Sequence, residues 1–247
     1  AKSGYIFKTI VDPFIGKYSL VKICSGVLKQ DDMIYNIDRD TEEKIGKLYV
    51  LQGSKPIEVK ELHAGDYIYL TGTIYSARDA AHKRMYDAIC VEQEKHPEVD
   101  YTGAKLYEDK ILPLDITGNT IYYLGPTPAK PGQVIGSAGP TTSSRMDKYT
   151  PLLLSKGLKG MIGKGKRSQA VIDAIVKEKA VYMAAVGGAG ALLSKCIKES
   201  EVIAYDDLGT EAIRKMRVEN LPVIVVIDSE GNNLYETAVA DYLKEHN

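Results

Sequence analysis

The sequence contains no run of about 18 consecutive apolar residues, which is the length that a membrane-spanning helix needs. The first residues, Ala1-Lys2-Ser3-Gly4, also lack the basic region followed by an apolar core that marks a secretory signal. We therefore expect a cytoplasmic protein that does not span a membrane.

An excess of positive charge is also absent, because 32 Lys and Arg residues are balanced by 33 Asp and Glu residues. A general nucleic-acid binder carries a large positive excess that neutralises phosphates, so the composition does not predict one. Hydrophobic residues make up 44% of the chain and charged residues 26%, as in ordinary globular proteins. With 247 residues, the chain is long enough for two modest domains, each with its own core.

Cysteine is scarce, and the three cysteines, Cys24, Cys90 and Cys196, lie far apart without a Cys-x-x-Cys pair. This spacing argues against a disulfide framework and against a zinc site, and we expect reduced thiols. The sequence also lacks a Gly-x-x-x-x-Gly-Lys-Ser/Thr loop, so we do not expect nucleotide hydrolysis.

Residues 1–66 contain short alternating stretches separated by turn residues, for example Tyr18-Ser-Leu-Val-Lys-Ile-Cys24 and Lys47-Leu-Tyr-Val-Leu51. This pattern is typical of β-strands, and closing the sheet would remove its exposed edges. We therefore predict a small antiparallel β-barrel for this domain.

Residues 67–247 show strands alternating with helices, which predicts an α/β domain. Strands are expected at 67–71, with a turn at Gly72, and at 121–124, 181–186 and 223–227. Helices are expected at 77–93, 168–179, 191–198 and 211–218, and a polar loop with a short element of its own at 94–112.

The first candidate site is Gly72-Thr-Ile-Tyr-Ser-Ala-Arg-Asp-Ala-Ala-His-Lys-Arg84, where a strand ends and a helix begins. Unpaired amides at a helix N-terminus attract anions, and Arg78 and His82 are spaced to share a helix face. Asp79 would favour the helix dipole or orient a base. The alternative is an ordinary basic helix face that Asp79 helps to cap.

The second candidate is Gly136-Ser-Ala-Gly-Pro-Thr-Thr-Ser-Ser-Arg-Met-Asp-Lys148, which is rich in hydroxyl groups. An arginine binds a carboxylate in a two-pronged geometry, so a dicarboxylate would suit Arg78 and Arg145 together. The same Ser and Thr residues could instead serve as helix caps and turns.

The third candidate is the basic glycine-rich loop Gly160-Met-Ile-Gly-Lys-Gly-Lys-Arg-Ser168, whose Ser168 could cap the next helix. A solvated basic turn is the alternative. Two weaker patterns favour structural roles. The full dinucleotide-binding spacing is absent from the loop Val186-Gly-Gly-Ala-Gly-Ala-Leu-Leu193. A carboxylate pair for metal binding or acid-base chemistry could be formed by Asp206, Asp207 and Glu211, but helix-start signals explain these residues more simply.

Two family resemblances follow from these motifs. Phe7-Lys-Thr-Ile-Val-Asp-Pro-Phe-Ile-Gly-Lys17, Ser25-Gly26 and Glu61-Leu-His-Ala-Gly-Asp66 resemble domain II of elongation factor G, a β-barrel that helps to contact ribosomal RNA. The stretch from Tyr67 to about Glu236 resembles the β subunit, or C-terminal domain, of iron-sulfur class I fumarases and L-tartrate dehydratases. This second resemblance implies a compact β/α domain of the swivelling type.

The hydro-lyase resemblance implies roles for particular residues. Arg78, Arg145 and Lys164 correspond to substrate-binding positions, with Lys166 as the alternative to Lys164, and Thr141 lies near the proton-transfer step. The substrate would be a small dicarboxylate, fumarate or L-tartrate. The segment from His96 to Leu112 departs from the family, whose β subunits are usually shorter there.

The same resemblance implies a partner. In the family, a [4Fe-4S] cluster held by three cysteines of the α subunit or N-terminal domain acts as Lewis acid, and the three cysteines here are not clustered. We therefore expect this chain to form one wall of a shared site in a hetero-oligomer and to be inactive alone.

Two other functions remain open. The chain could be a non-enzymatic module that binds ribosomal RNA or protein through its N-terminal barrel, using Lys8, Lys17, Lys22 and Lys29. Alternatively, the two halves could be an engineered fusion without native activity, joined at the shared Ala64-Gly-Asp66.

Overall fold

The structure, a computed structural model, describes residues 3–12, 16–25, 33–37, 40–44, 49–52, 55–58, 62–238 and 243. The chain divides into two compact units, Ala1–Glu61 and Leu62–Asn247. The predicted combination of an N-terminal β part and a C-terminal α/β part is confirmed. Sequence analysis predicted the boundary between residues 66 and 67, whereas the two compact units meet between Glu61 and Leu62.

The described residues of the N-terminal unit form antiparallel strand pairs. Strand β1 (Ser3–Asp12) pairs with β2 (Gly16–Ser25), β3 (Met33–Asn36) with β4 (Thr41–Lys44), and β5 (Tyr49–Gln52) with β6 (Lys55–Glu58). The alternating stretches seen in the sequence therefore are strands. Closure of these strands into a barrel stays a prediction, and Lys29 lies outside the described residues.

The C-terminal unit is built on a mixed sheet with the strand order β10-β9-β8-β7-β12-β11. Its elements in chain order are β7 (Tyr67–Ser76), α1 (Asp79–Lys95), α2 (Gly103–Glu108), β8 (Thr120–Tyr122), the 3-10 helix η1 (Ser143–Met146), α3 (Thr150–Ser155), β9 (Gly160–Gly163), α4 (Gln169–Glu178), β10 (Val181–Ala184), α5 (Gly190–Cys196), β11 (Ile197–Ala204), the 3-10 helix η2 (Asp206–Glu211) and β12 (Ile213–Ile227).

Strand pairing closes this sheet into a ring. Strands β7, β8, β9 and β10 are parallel neighbours, and the long β12 runs antiparallel to β7 while also pairing with β10. The five strands β7, β8, β9, β10 and β12 therefore form a closed barrel, with β11 added outside it along β12. Closure leaves fewer unpaired strand edges exposed to solvent.

Side-chain alternation along the strands separates two hydrophobic cores. Tyr122 and Leu124 belong to a cluster to which all five ring strands contribute, so this cluster fills the barrel. Ile121 and Tyr123 belong to the other cluster, together with buried residues of α1, α3 and α4, so those helices pack on the outside. Each fully buried aliphatic side chain contributes about 1.5–3 kcal/mol to folding.

Two predicted elements differ from the structure, and one strand was not predicted. The strand beginning at Tyr67 does not turn at Gly72 but continues to Ser76, because Gly72 pairs with Val218 of β12. Residues 211–218, predicted as a helix, instead include the first part of β12, and β11 was not predicted. The helical spacing was misleading because this segment is paired on both sides, with β7 and with β11.

Candidate functional site

The parallel strands bring the predicted site residues to one edge of the barrel. The carboxyl ends of β7, β8, β9 and β10 meet at this edge, where α/β proteins commonly bind ligands. Arg78 follows β7, the segment with Thr141 and Arg145 follows β8, and Lys164 comes directly after β9. Residues far apart in sequence are thereby collected on one surface.

Arg78 is the N-cap residue of α1 and is held from two sides. Its Nη2 lies 3.3 Å from Oε1 of Glu211, and its side chain is only 18% exposed. It also lies against Gly125, where an added Cβ would approach Nη1 to 2.6 Å. Because a side chain at position 125 would displace the guanidinium, Gly125 and Glu211 together determine the position of Arg78.

Glu211 also caps helix α1. Its Oε2 accepts a hydrogen bond of 2.9 Å from the backbone amide of Ala80, in the first turn. Sequence analysis expected the amides at this end to be open to an anion, but the amide of Ala80 already has a carboxylate partner. The interpretation of Glu211 as a helix-start signal is also corrected. Glu211 is the last residue of η2, and it caps α1 at Ala80, which is 131 residues away in sequence.

Asp79 lies between the two predicted substrate-binding arginines. Its Oδ1 accepts a hydrogen bond of 2.7 Å from Nε of Arg145, and its Oδ2 is 3.7 Å from Nε of Arg78. Arg145, in η1, is 49% exposed, so much of its guanidinium faces solvent. The structure therefore brings Arg78 and Arg145 to opposite oxygens of one carboxylate.

Thr141 and Lys164 are positioned by backbone pairing on adjacent segments. The amide of Thr141 donates a hydrogen bond of 2.8 Å to the carbonyl of Tyr123, and the next residue, Thr142, forms a parallel bridge with Lys164. Ser143 completes the link, since its amide donates to the carbonyl of Lys164 at 2.9 Å and its Oγ accepts from the amide of Lys164 at 3.0 Å.

The side chain of Lys164 is exposed and extends toward the loop after β10, where an added Cβ at Gly187 would lie 3.9 Å from Cδ of Lys164. Lys166 is exposed as well. Lys164 is the better candidate because its backbone is fixed to the segment that carries Thr141.

A buried arginine that sequence analysis missed holds this loop in place. The side chain of Arg167 is completely buried, and its Nε donates a hydrogen bond of 2.7 Å to Oδ1 of Asp147. Its guanidinium lies 5.4 Å from the ring centroid of Tyr123 and 5.0 Å from that of Tyr182. The basic loop predicted solvated charges, but the guanidinium is buried because the carboxylate of Asp147, the hydroxyl of Thr150 and the two tyrosine rings surround it.

Asp147 has a second role at the start of α4. Its Oδ2 accepts a hydrogen bond of 2.6 Å from the amide of Ser168, whereas the side chain of Ser168 forms no capping bond. The expectation that Ser168 caps the helix is therefore wrong in its details. The carboxylate of Asp147 joins the Arg145 segment to the loop that carries Lys164.

His82 lies in the core rather than at the anion-binding edge. Its Nδ1 is 2.9 Å from the carbonyl oxygen of Arg78, and its ring meets that of Tyr123 edge-on at 5.2 Å. Burial lowers the pKa of His82 to about 4, so the imidazole is neutral at pH 7. Because a carbonyl can only accept, the proton is on Nδ1. The expectation that His82 shares an anion-binding face with Arg78 is therefore wrong.

The remaining sequence candidates have structural positions. Gly190, at the start of α5, packs closely on Gly139, since an added Cβ would lie 2.8 Å from the Gly139 amide nitrogen. Asp207 pairs with Arg84 at the surface.

Within residues 62–238, Cys90 lies in α1 and Cys196 ends α5. No three His, Cys, Asp or Glu side chains among the described residues could jointly hold a metal ion. None of the described helices is long and apolar enough to cross a membrane.

Comparisons with known proteins identify the family of the chain. A family model described as fumarase C-terminus matches residues 102–238, and one described as elongation factor G domain 2 matches residues 1–81. The chain is 34% identical over 185 residues to a putative L(+)-tartrate dehydratase subunit beta from Methanocaldococcus jannaschii. The aligned region covers 72% of this chain and 86% of that protein. The chain thus belongs to the fumarase C-terminus family.

Fumarate hydratases are also similar but much longer. The chain is 39% identical over 172 residues to the anaerobic class I fumarate hydratase of Escherichia coli, covering 69% of this chain and 28% of that protein. It is 33% identical over 212 residues to the mitochondrial fumarate hydratase 1 of Leishmania major, covering 85% of this chain and 34% of that protein. The chain spans about a third of the length of these relatives. Both resemblances stated from the sequence are confirmed.

Proposed function

We propose that this chain is the β component of an iron-sulfur hydro-lyase that adds water to, or removes it from, a small dicarboxylate such as fumarate or L-tartrate. The observation that carries the proposal is the meeting of Arg78, Thr141, Arg145 and Lys164 at one edge of the barrel, in a chain of the fumarase C-terminus family. The swivelling type of domain and the cytoplasmic location remain predictions.

Charge supports binding of a dianion. Arg78, Arg145 and Lys164 supply three positive charges at this edge, while Asp79 and Glu211 supply two negative ones. Arg145 has a half-exposed guanidinium that can bind a carboxylate in a two-pronged geometry, and Lys164 supplies an exposed ammonium group at the same edge. In this proposal, Asp79 and Glu211 orient the arginines, and the substrate binds to their remaining N–H groups.

Proton transfer is assigned to Thr141. A threonine hydroxyl is a weak base at neutral pH, so its activation depends on the surrounding charges of the complete site. The backbone of Thr142, next to Thr141, is bridged to that of Lys164, and in this proposal the ammonium group of Lys164 approaches the Thr141 hydroxyl in the assembled site. A nearby cation stabilises the alkoxide form and so favours loss of the hydroxyl proton.

The remaining part of the site would come from an α subunit in a hetero-oligomer. A [4Fe-4S] cluster held by that subunit would act as Lewis acid on the hydroxyl group that leaves or adds. Within residues 62–238, Cys90 on α1 and Cys196 on α5 lie on separate helices and belong to no group of side chains that could hold a metal ion. This chain would bind and orient the dicarboxylate, and it would be inactive alone.

Reconstitution tests the proposal. We would follow fumarate hydration and L-tartrate dehydration by ultraviolet absorbance, with the chain alone, the α subunit alone with its cluster reconstituted anaerobically, and the mixture. Activity in the mixture only is the expected result, and the preferred substrate identifies the reaction. A complex with an intact cluster and no activity on either substrate would refute the proposal.

A second candidate function concerns the N-terminal unit. The match to elongation factor G domain 2 over residues 1–81 favours binding of ribosomal RNA or of a protein through this unit. Co-sedimentation with ribosomes, tested with the full chain and with a chain lacking residues 1–61, distinguishes this role. Sedimentation that requires residues 1–61 would support it, and no sedimentation of the full chain would exclude ribosome binding.

A further inference from the structure

A cleft of about 410 Å³ lies at the same edge of the sheet, on the β12 and β11 side of Arg78. Its volume is in the range of small-molecule sites. Val134, Ile135 and Val202 form an apolar wall, and Arg214, Asp206 and Thr210 supply polar groups. An apolar cleft with a few polar groups is the usual composition of a ligand site.

Arg214 is the unusual member of this lining. Its Nε is buried and has no hydrogen-bond partner among the described residues, and no described carboxylate forms an ion pair with it. Burial lowers the pKa of the Arg214 guanidinium, which reflects this lack of compensation. A partly buried cation without a counter-charge is unfavourable, so an anion in the cleft would be stabilised.

A second unpaired donor lies beside Arg214. Ser76, the last residue of β7, is the direct cross-strand neighbour of Arg214, and its Oγ is also buried without a hydrogen-bond partner in residues 62–238. Directly opposed residues in antiparallel strands have Cβ atoms about 5 Å apart, so these two donors lie close together, although Ser76 is fully buried and only Arg214 lines the cleft.

Asp206 limits the kind of anion. It lines the same cleft, so a second negative charge on a ligand would be repelled, whereas an apolar chain would fit against Val134, Ile135 and Val202. We propose that the cleft binds a monocarboxylate with a short aliphatic chain, with its carboxylate on Arg214 and its chain on the apolar wall.

The cleft is connected to Arg78 through η2. This short helix provides Glu211 to Arg78 and Ala80, and it provides Asp206, Gly209 and Thr210 to the cleft. The proposed monocarboxylate site depends only on residues of this chain. It can therefore be tested without an α subunit and independently of the hydro-lyase proposal.

The test is an NMR titration of the full chain, labelled with nitrogen-15, with 4-methylpentanoate and separately with succinate. We expect saturable shifts of amides around the cleft with 4-methylpentanoate, and weaker binding of succinate. Arg214→Gln should weaken 4-methylpentanoate binding by about tenfold or more, because a charge-assisted hydrogen bond is lost. Arg217→Gln removes the same charge from the same strand outside the cleft and should leave the affinity unchanged.

A variant that leaves Arg214 in place gives an independent test if Arg214→Gln fails to fold. Ala129 is exposed and lines the cleft, so Ala129→Phe should block binding without removing a charge. Asp206→Asn should bring succinate closer to 4-methylpentanoate in affinity. The proposal is overturned if 4-methylpentanoate does not bind to the folded chain, or if it binds to Ala129→Phe with unchanged affinity. Binding of succinate to the unsubstituted chain as tightly as 4-methylpentanoate would also overturn it.

Discussion

The Nε of Arg145 donates a hydrogen bond of 2.7 Å to Oδ1 of Asp79, although 66 residues separate them in sequence. Arg145 is half exposed, so this pair contributes only about 0–1 kcal/mol to stability. Its importance is positional, because it joins the 3-10 helix η1 to the start of α1, where Arg78 lies. The two arginines proposed to hold the dicarboxylate therefore share one carboxylate as a fixed reference.

Gly125→Ala should displace Arg78. The new Cβ would lie 2.6 Å from Nη1 and 2.9 Å from Cδ of Arg78, so the guanidinium must move. Because a small misplacement of a substrate-binding group is costly, we expect kcat/KM for the dicarboxylate to fall roughly ten- to a hundredfold in the assembled enzyme. Gly139→Ala is the matched control, since its Cβ would approach no atom closer than 3.7 Å. Equal effects of the two variants on kcat/KM would show that the position of Arg78 is unimportant.

Glu211→Ala should destabilise the fold by about 1–2 kcal/mol, because the amide of Ala80 loses its capping carboxylate and Arg78 loses its ion-pair partner. Glu211→Gln should have a smaller effect, since an amide oxygen can still cap α1. Urea unfolding at pH 7 measures both. Asp207→Asn, at the exposed Arg84 pair, should have no measurable effect and serves as control. If Glu211→Gln lowered the free energy of unfolding as much as Glu211→Ala does, the charge of Glu211 and not its capping hydrogen bond would be responsible.

His82 makes stability depend on pH. Its pKa is lowered from 6.5 to about 4 in the folded chain, so between these values the unfolded chain binds a proton that the folded chain does not. The contribution of neutral His82 to the free energy of unfolding is therefore fully present above pH 6.5. It falls as the pH drops toward 4, by about 3 kcal/mol in all. Urea unfolding across this pH range should show the loss.

His82→Phe should flatten this pH dependence, even if it lowers stability at pH 7 by removing the hydrogen bond to Arg78. His96→Gln, at the exposed end of α1, should keep the wild-type dependence. If His82→Phe retained the full slope between pH 6.5 and 4, another group would be responsible.

Arg167→Met should cost about 3–5 kcal/mol, because it leaves the largely buried carboxylate of Asp147 without its cation. Arg167→Met combined with Asp147→Asn should recover part of this loss, since no uncompensated charge remains. The double-mutant cycle, measured by urea unfolding, gives the coupling energy. A coupling near zero would contradict a direct ion pair.

Local sequence patterns predicted the elements that depend mainly on interactions between residues close in sequence. The apolar spacing of α1 and α4 was enough to place both helices within about two residues, since each buries one face on the barrel. The motifs with Arg78, Thr141 and Lys164 were correctly expected at strand ends or turns. Parallel pairing then brings those ends together.

What the sequence did not predict depends on partners that are distant in the chain. Strand β12 was taken for a helix in its first part because its pairing with β7 and β11 is not visible locally. The burial of Arg167 depends on Asp147, and the capping of Ala80 depends on Glu211. Arg167 and Glu211 acquire their roles only when tertiary contacts supply an opposite charge or an unpaired amide.

The central claim, that this edge of the barrel binds the dicarboxylate, is tested most directly by kcat/KM for fumarate or L-tartrate in the assembled enzyme with Arg145→Ala. Lys148→Ala removes an exposed positive charge three residues away and serves as control. The account predicts a loss on the order of 100-fold for Arg145→Ala, with the complex and fold intact, and a change of less than about twofold for Lys148→Ala. Equal activity of the two variants would contradict it.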